Sequence, residues 1–505
     1  MNSQLMASLP SYLIKYVPAA LLTLAAIPIG LPLIYLTFCD LHNRWILRRM
    51  KSVPGCKSIP LFGSFFEFAR VRFQEGDGFS NLIRIYGRGK GMVKLSQLNQ
   101  VNLLVSDPEV SRQILVDDFN FFDKGSVFET LGGFVGHLSL PVVKHSNNGP
   151  WKRQRRITEP AFKSSAIRQL QPMIQRVSDT FTEELLAKDG QLVDVKHFWE
   201  RFTLSIINEA IGAGHAPKEF VDSMVEIATY LFSPLYLIPF IGVKLHCRRH
   251  QKALDTVDSF IFKNCAERRA LIEAGEKTPN DFLDILIREA IQAEKEGGNA
   301  MTSQELRDQL LMFYVAGFET TSNALAFVTH HVSTDPTILK KLHAEVDSVR
   351  PSELESGSIA QTLPYSLMCF NEALRLHPPS IFSVREAQKD IRLTGSNVVV
   401  PAGVAVYTVY YSIQRDTKLW GANANDYYPD RFAEELPHKW AFSPFSGGPR
   451  VCVGKQLVIA EALTVMRSVF SRIKFTPAPD SMPVAEDLTS GLLKIKKLNC
   501  YVSKR

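Results

Sequence analysis

A long stretch without proline constrains the fold of this chain more than any other feature. Thr302-Ser303-Gln304-Glu305 has the form of a capping box, in which the first and last side chains each bond the other residue's backbone N–H. Helical periodicity continues to about Asp335, and at about 1.5 Å of rise per residue such a helix is roughly 50 Å long. A helix of that length crosses a whole domain, so the sequence predicts a mainly helical fold built around it.

The interior of this predicted helix contains poor helix formers. The segment Ala316-Gly317-Phe318-Glu319-Thr320-Thr321 combines a glycine with two adjacent threonines, whose hydroxyls bond back to carbonyls one turn earlier. A close contact between small residues would explain such a segment. Local conflict with the surrounding helix is also typical of functional sites.

A cysteine lies in a loop of glycine, proline and arginine near the carboxyl end. The loop runs from Phe445 to Gly454, with Cys452 just before a helical stretch. Glycines permit positive φ and the close approach of a flat partner, while proline stiffens the turn. Arg450 and the start of the next helix both favour a thiolate. We therefore interpret Cys452 as a thiolate bound to iron.

This loop has three alternative interpretations. A buried structural cysteine is the usual explanation for a lone Cys among glycines. A zinc site is disfavoured because no second cysteine or histidine lies at ligand spacing. A phosphate-binding loop is disfavoured because Pro449 stands where a glycine is needed and Gln456 where a hydroxyl is needed.

The spacing of Phe445, Gly448, Arg450, Cys452 and Gly454 resembles the haem-binding signature of the cytochrome P-450 monooxygenases, Phe-x-x-Gly-x-Arg-x-Cys-x-Gly. The resemblance implies haem b with an axial cysteine thiolate, and a mainly α fold with a small β region (α+β). Alternating apolar residues in 91–95 and 101–105 independently predict short strands.

Other motifs of that family occur in the expected order. They are Trp151 with Arg155, Glu319 with Thr320, Glu372 with Arg375, Arg385, and Arg431. By resemblance, Trp151, Arg155 and Arg385 contact the haem propionates. Glu319 and Thr320 are the acid and the hydroxyl on the oxygen side. Glu372, Arg375 and Arg431 form a structural network around the proximal scaffold.

The predicted substrate pocket is apolar. By family position its walls are Phe313, Ala316, Ile381, Phe382 and Leu492. Such a lining is consistent with a lipophilic ligand such as a terpenoid, sterol, polyketide or fatty acid. Aromatic residues at these positions are equally consistent with ordinary core packing.

The amino terminus predicts a membrane anchor. Residues 17–39 carry no charge and are long enough to cross roughly 30 Å of hydrocarbon as a helix. A cleaved signal peptide is the alternative, but the apolar run is too long for one. Basic residues follow the span, so the positive-inside rule places the bulk of the chain in the cytosol. We expect an endoplasmic reticulum protein with a lumenal terminus (1–16), an anchor (17–39), a basic and proline-rich hinge (40–63) and a haem-thiolate catalytic domain (64–505).

Composition and motifs limit the kinds of binding partner that this chain is expected to have. Hydrophobic residues make up 45% of the chain and charged residues 22%, which suits a globular core, and the net charge of +7 gives no indication of nucleic acid. The sequence has no clean Gly-x-Gly-x-x-Gly flavin or nicotinamide fingerprint after a predicted strand, so electrons must come from another protein. The resemblance implies an NADPH-dependent flavoprotein reductase. Two alternatives to a monooxygenase stay open: a haem enzyme of the same fold that acts on peroxides, and a non-catalytic haem-binding protein.

Overall fold

The computed structural model describes residues 33–97, 100–146, 149–212, 217–231, 248–279, 281–297, 301–350, 352–356, 358–488 and 492–505. The chain divides into two compact units. The smaller unit consists of Met1–Leu104 and Lys389–Val406, and the larger of Val105–Gln388 and Tyr407–Arg505. Every residue predicted for the functional site belongs to the larger unit.

The smaller unit combines short helices with short strands. Its elements are α1 (33–49), α2 (Phe65–Glu75), α3 (Gly78–Tyr86), β1 (Met92–Gln97), β2 (Gln100–Val105), β6 (Ile391–Arg392), β7 (Val399–Val400) and the start of β8 (Ala405–Thr408). Strand β2 lies between β1 and β8, and β6 pairs antiparallel with β7. The two strands predicted from alternating residues are confirmed as β1 and β2.

The predicted anchor is only partly described. Residues 17–32 lie outside the described residues, and 33–39 form the start of α1. Within the described ranges, no helix combines the length and the apolar character that crossing a bilayer requires.

The predicted hinge packs onto a strand. Residues 40–49 continue α1, and Lys94 Nζ of β1 donates to the carbonyls of Leu47 at 3.0 Å and Met50 at 2.6 Å. Gly55 forms a parallel bridge with Lys94, and Gly63 an antiparallel bridge with Gln97. These contacts hold the proline-containing segment against β1.

Helices make up most of the larger unit. In chain order they are α4 (Pro108–Arg112), α5 (Ser126–Val135), α6 (Trp151–Thr158), α7 (Ser164–Leu186), α8 (Val195–Ile211), α9 (Lys218–Leu231), α10 (Arg248–Glu273), α11 (Phe282–Lys295), α12 (Ser303–Thr334), α13 (Pro336–Ser348), α14 (Glu353–Ser356), α15 (Ile359–Thr362), α16 (Pro364–Leu376), α17 (Tyr410–Ile413), α18 (Thr417–Trp420) and α19 (Lys455–Phe470).

The strands of the larger unit are few and short. They are β3 (Phe122–Asp123), β4 (Leu192–Asp194), β5 (Ser383–Ala387), β9 (Ile473–Pro477), β10 (Glu486–Asp487), β11 (Lys494–Ile495) and β12 (Asn499–Lys504). Strand β12 lies between β4 and β9 and is antiparallel to both, β3 pairs antiparallel with β5, and β10 pairs antiparallel with β11. A mostly helical fold with small sheets is therefore confirmed.

Helix α12 is the long helix predicted from the sequence. It begins after the Thr302 cap, where the capping box with Glu305 is complete, and Asp335 follows its last residue. Buried residues lie on all sides of it, which is the pattern of a helix inside a core. It packs against α8, and Trp199 Nε1 of α8 donates to Thr329 Oγ1 of α12 at 3.1 Å. The core of the larger unit is thus organised around α12.

Candidate active site

The cysteine loop presents Cys452 just ahead of α19. Cys452 N–H donates to the Phe445 carbonyl at 3.0 Å, which closes the loop on itself. Gly454 is the N-cap of α19, so the first turn of this helix directs its free N–H groups toward the loop. Arg155 of α6 donates from Nη1 to the Val451 carbonyl at 2.9 Å. Arg155, which the resemblance places at the haem propionates, therefore contacts the residue before Cys452, and its contact with the propionates stays a prediction.

Gly448 is required by the backbone of this loop. Its φ is +67°, in the left-handed region that L side chains rarely adopt. A Cβ atom at this position would lie 1.9 Å from the Leu115 carbonyl oxygen. No side chain fits between the loop and that carbonyl.

The surroundings of Cys452 shift the pKa of its thiol in opposite directions. Although Cys452 is exposed, enough protein surrounds it that burial raises the pKa of its thiol. The N–H of Gly454, the charge of Arg155 and the N–H of Lys455 oppose that shift and lower the pKa. Because a coordinated metal deprotonates a thiol outright, these donors are suited to a thiolate ligand. Cys452 is exposed as a residue, as a ligand to a group outside the polypeptide must be.

A cluster of buried cations lies beside the loop. Arg450 stacks on the Trp151 ring at 4.6 Å from its centroid and donates from Nη2 to the Val143 carbonyl at 2.8 Å. Arg385 on β5 donates from Nη1 to the Val384 carbonyl at 2.8 Å. Burial, followed by the charges of Arg385 and Arg450, lowers the pKa of Lys124 well below its usual value. Burial likewise lowers the pKa of Arg385 and of Arg450.

Asp123 is the one carboxylate in contact with this cluster among the described residues. It accepts from Ser146 N–H at 2.8 Å and from Lys124 N–H at 2.8 Å, and its Oδ1 lies 2.9 Å from His145 Nδ1 and 3.4 Å from Arg450 Nη2. Burial would raise the pKa of Asp123, but the bonds from His145 and Ser146 outweigh it and hold the pKa well below its usual value.

The cation cluster fits a ligand that carries carboxylates. Lys124, Arg385 and Arg450 share the single charge of Asp123, and the Nε atoms of both arginines are buried without a hydrogen-bond partner among the described residues. An unpaired buried guanidinium N–H costs free energy that a bound carboxylate would recover. The two propionates of haem b have this chemistry, so the residues present fit the predicted cofactor.

The predicted oxygen-side residues lie in the middle of α12. Thr320 Oγ1 donates to the Ala316 carbonyl at 2.6 Å, which is the back-bond expected of a threonine within a helix. The Glu319 carboxylate is buried and forms an ion pair with Lys494 of β11. Burial raises the pKa of Glu319, and the charge of Lys494 opposes that shift.

The Glu372 network is completely buried at its centre. Arg375 donates from Nε to Glu372 Oε2 at 2.7 Å and from Nη2 to Oε1 at 2.8 Å, and neither side chain is exposed. Arg431 Nε donates to Glu372 Oε1 at 2.9 Å, as does Tyr428 N–H at 2.8 Å. The structure therefore brings the three predicted network residues together.

The predicted pocket residues separate into two groups. Ser380 forms an antiparallel bridge with Leu492, which brings Leu492 alongside Ile381 and Phe382, and Ala316 is half-buried on α12. The Phe313 ring instead packs against Phe162 at 5.2 Å between centroids in a buried aromatic cluster. Its place in the pocket stays a prediction, and this packing favours a core role.

Four residues of the site were not predicted from the sequence. They are Asp123, Lys124, His145 and Lys494. All four reach the site through contacts with residues distant in sequence, and none belongs to a motif. The only local signal is the Asp-Lys-Gly turn at the end of β3, which is too common to be specific.

Comparison with known proteins gives a consistent result. A family model described as Cytochrome P450 matches residues 53–501. The chain is 25% identical over 490 residues to cytochrome P450 3A5 of Homo sapiens, covering 93% of this chain and 94% of that protein. It is 26% identical over 547 residues to cytochrome P450 52-M1 of Starmerella bombicola, covering 95% and 98%. It is 25% identical over 469 residues to lithocholate 6-beta-hydroxylase of Mesocricetus auratus, covering 88% and 89%.

Proposed function

The chain belongs to the cytochrome P450 family and is therefore a haem-thiolate oxidoreductase, and we propose that it inserts one oxygen atom from O2 into a lipophilic small molecule. Electrons come from NADPH through a separate flavoprotein reductase. The observation that carries this proposal is the accessible Cys452 beside a cluster of buried cations that lacks matching anions.

Cys452 is the proposed axial ligand of haem b. Bound haem supplies the activation of oxygen, and a thiolate ligand favours cleavage of the O–O bond. Arg155 and the N–H groups at the start of α19 stabilise the thiolate. Phe445, Gly448 and Gly454 shape the loop against the cofactor, and Trp151, Arg385 and Arg450 hold its carboxylates together with Lys124.

Thr320 and Glu319 are the proposed residues for moving protons on the oxygen side. Because the Thr320 hydroxyl donates to the Ala316 carbonyl, the lone pairs of its oxygen are open to accept a bond from an incoming water. Glu319 has a pKa raised by burial, which brings a carboxyl group closer to the operating pH of a proton carrier. The two adjacent residues thus supply an acceptor and an acid.

The substrate is proposed to be lipophilic because Ile381, Phe382 and Leu492 are apolar and adjacent. A relative named as a lithocholate hydroxylase is consistent with hydroxylation of such a molecule. The terpenoid, sterol, polyketide and fatty acid classes all remain candidates. The reaction is proposed to belong to a biosynthetic or metabolic pathway.

We also propose that the protein is anchored in the endoplasmic reticulum membrane through residues 17–39, with its catalytic domain in the cytosol. Support comes from the uncharged span and the basic residues after it. Flotation of the full chain with vesicles, compared with a chain lacking residues 2–39, tests the anchor. Equal flotation of both chains would contradict it.

The decisive experiment separates the proposal from its two alternatives. The reduced protein with carbon monoxide should show the red-shifted Soret band of a thiolate-ligated haem. Product should form with reductase and NADPH when a library of lipophilic metabolites is screened for added oxygen by mass. Product from peroxides alone would favour the peroxide enzyme, and a haem spectrum with no turnover would favour a haem-binding protein.

The Cys452→Ala variant tests the ligand directly. We expect it to lose the red-shifted band and all turnover, because alanine offers no atom to iron. The matched control is Cys500→Ala, since Cys500 is buried in β12 and lies in no part of the proposed site. A Cys452→Ala protein with a normal band would refute the assignment.

A further inference from the structure

The Glu319 carboxylate has two oxygens in different environments. Oε1 contacts Lys494 Nζ, in an ion pair whose side chains are 8% and 16% exposed for Glu319 and Lys494. Oε2 is buried and has no hydrogen-bond partner among the described residues. One oxygen is therefore held by a cation, and the other is free to carry a proton.

The strand that presents Lys494 is fastened to α12 at the same turn. Asn323 donates from Nδ2 to the Glu319 carbonyl at 2.7 Å. Its Oδ1 accepts from the N–H of Ile495, the residue after Lys494, at 3.2 Å. The Asn323 bond fixes the backbone next to Lys494, and the ion pair with Glu319 fixes its side chain. The ammonium group of Lys494 is therefore held in place beside the carboxylate.

The other charges that act on Glu319 come from α8. Burial raises the pKa of Glu319 most, the charge of Glu200 adds to that rise, and the charges of Lys494 and Lys196 lower it. Glu200 also lies 3.8 Å from Lys196 Nζ and 3.4 Å from His197 Nδ1, and His197 is exposed. Helix α8 therefore contributes charges of opposite sign at Glu319.

We propose that Lys494 is the positioning residue of the proton-carrying acid. Its ammonium holds Oε1 of Glu319, so that Oε2 takes up a proton from solvent and passes it toward Thr320. The carboxylate is regenerated at the end of each transfer, so Glu319 gains and loses one proton per cycle. The inference rests on the proposed function, because it assigns a role within the same reaction.

A double-mutant cycle tests the ion pair without using turnover. The free energy of unfolding of the haem-loaded protein is measured against pH for wild type, Lys494→Met, Glu319→Gln and the double variant. In Lys494→Met the carboxylate loses its cation, so its pKa rises further above the value in the unfolded chain. A group whose folded pKa is raised loses stability as pH rises, so the defect of Lys494→Met should grow with pH.

Replacing Glu319 by Gln in the Lys494→Met background should remove this pH dependence, because the amide does not ionise. We expect the folding equilibrium constant of the double variant to exceed that of Lys494→Met by about ten-fold or more near neutral pH. If Lys494→Met does not fold, recovery of folding in the double variant gives the same result. A double variant no more stable than Lys494→Met would overturn the pairing.

The pH profile of coupling tests the catalytic role. Coupling is the product formed per NADPH consumed. In Lys494→Met the inflection of coupling against pH should move to higher pH by about one unit or more. One unit corresponds to a ten-fold change in the proton affinity of Glu319. Lys494→Arg keeps the charge and should retain the wild-type inflection.

Lys497→Met is the matched control. Lys497 also pairs with a carboxylate, but both side chains of its pair with Asp480 are about half exposed. We expect its inflection to match wild type. Identical inflections in Lys494→Met and Lys497→Met would overturn the role of Lys494. A wild-type protein without the red-shifted carbon monoxide band would instead refute the proposed function, while the stability cycle still reports on the ion pair.

Discussion

Replacing Arg375 by methionine is the sharpest test of how the larger unit supports its site. The guanidinium is fully buried and makes five hydrogen bonds with acceptors at 2.6 to 3.2 Å. Two of them go to Glu372, and the others go to the carbonyls of Gln414, Ala424 and Asp426. The side chain thus joins α16 to the segment that precedes the cysteine loop.

The cost of this substitution follows from those partners. Removing one partner of a buried ion pair costs about 3–5 kcal/mol. Each carbonyl left without a donor adds about 1–3 kcal/mol, although these terms do not add fully within one network. Arg431 and Tyr428 still contact Glu372, which limits the loss. We therefore expect Arg375→Met to cost about 4–6 kcal/mol, against a typical total stability of about 5–15 kcal/mol.

The assay is denaturant unfolding followed by tryptophan fluorescence, with haem content per chain measured in parallel. Arg201→Met is the matched control, because Arg201 makes a bidentate pair with Glu184 at 2.8 Å for both bonds but is 42% exposed. An exposed pair contributes about 1 kcal/mol or less. The reasoning would be refuted if Arg375→Met lost no more stability than Arg201→Met.

Three further predictions concern the site. Gly448→Ala should cost about 2 kcal/mol or more and lower haem content, because its Cβ would meet the Leu115 carbonyl at 1.9 Å, whereas Gly133→Ala in α5 should be tolerated in the same assay, because its Cβ would meet no atom within 4 Å. Asp123→Asn should destabilise the protein at neutral pH, and the difference from wild type should shrink as pH falls below about 4, because a carboxyl group with a lowered folded pKa stabilises only above its unfolded pKa. Thr320→Ala should keep the carbon monoxide spectrum but form less product per NADPH consumed. An unchanged ratio of product to NADPH would refute the role of Thr320 in proton transfer.

Local sequence information was sufficient for the elements whose signals lie within one segment. The capping box at Thr302 and the absence of proline define α12 to within a residue at each end. Glycines and Pro449 likewise define the loop that carries Cys452. In both cases the residues that determine the structure are neighbours in the chain, so spacing alone predicts it.

Contacts between distant segments could not be predicted in the same way. Lys494 reaches Glu319 only because β11 packs against α12, and a lone lysine near the carboxyl end carries no sign of a buried partner. Phe313 shows the converse limit. An apolar residue at helical spacing suits a ligand cavity and a core equally, and only its contact with Phe162 distinguishes the two.

The buried charge networks around Glu372 and Asp123 differ in their balance of cations and anions, and this difference distinguishes a network that stabilises the fold from one that binds a ligand. Around Glu372, Arg375 has acceptors for each of its guanidinium nitrogens, so the network is closed and serves stability. Around Asp123, three buried cations share one carboxylate, and two guanidinium nitrogens have no partner among the described residues. Burying an unpaired charge destabilises the fold, so selection for stability alone would not maintain this excess of cations over carboxylates. This imbalance supports the proposal that the cation cluster binds the carboxylates of haem, for which Cys452 is the proposed ligand.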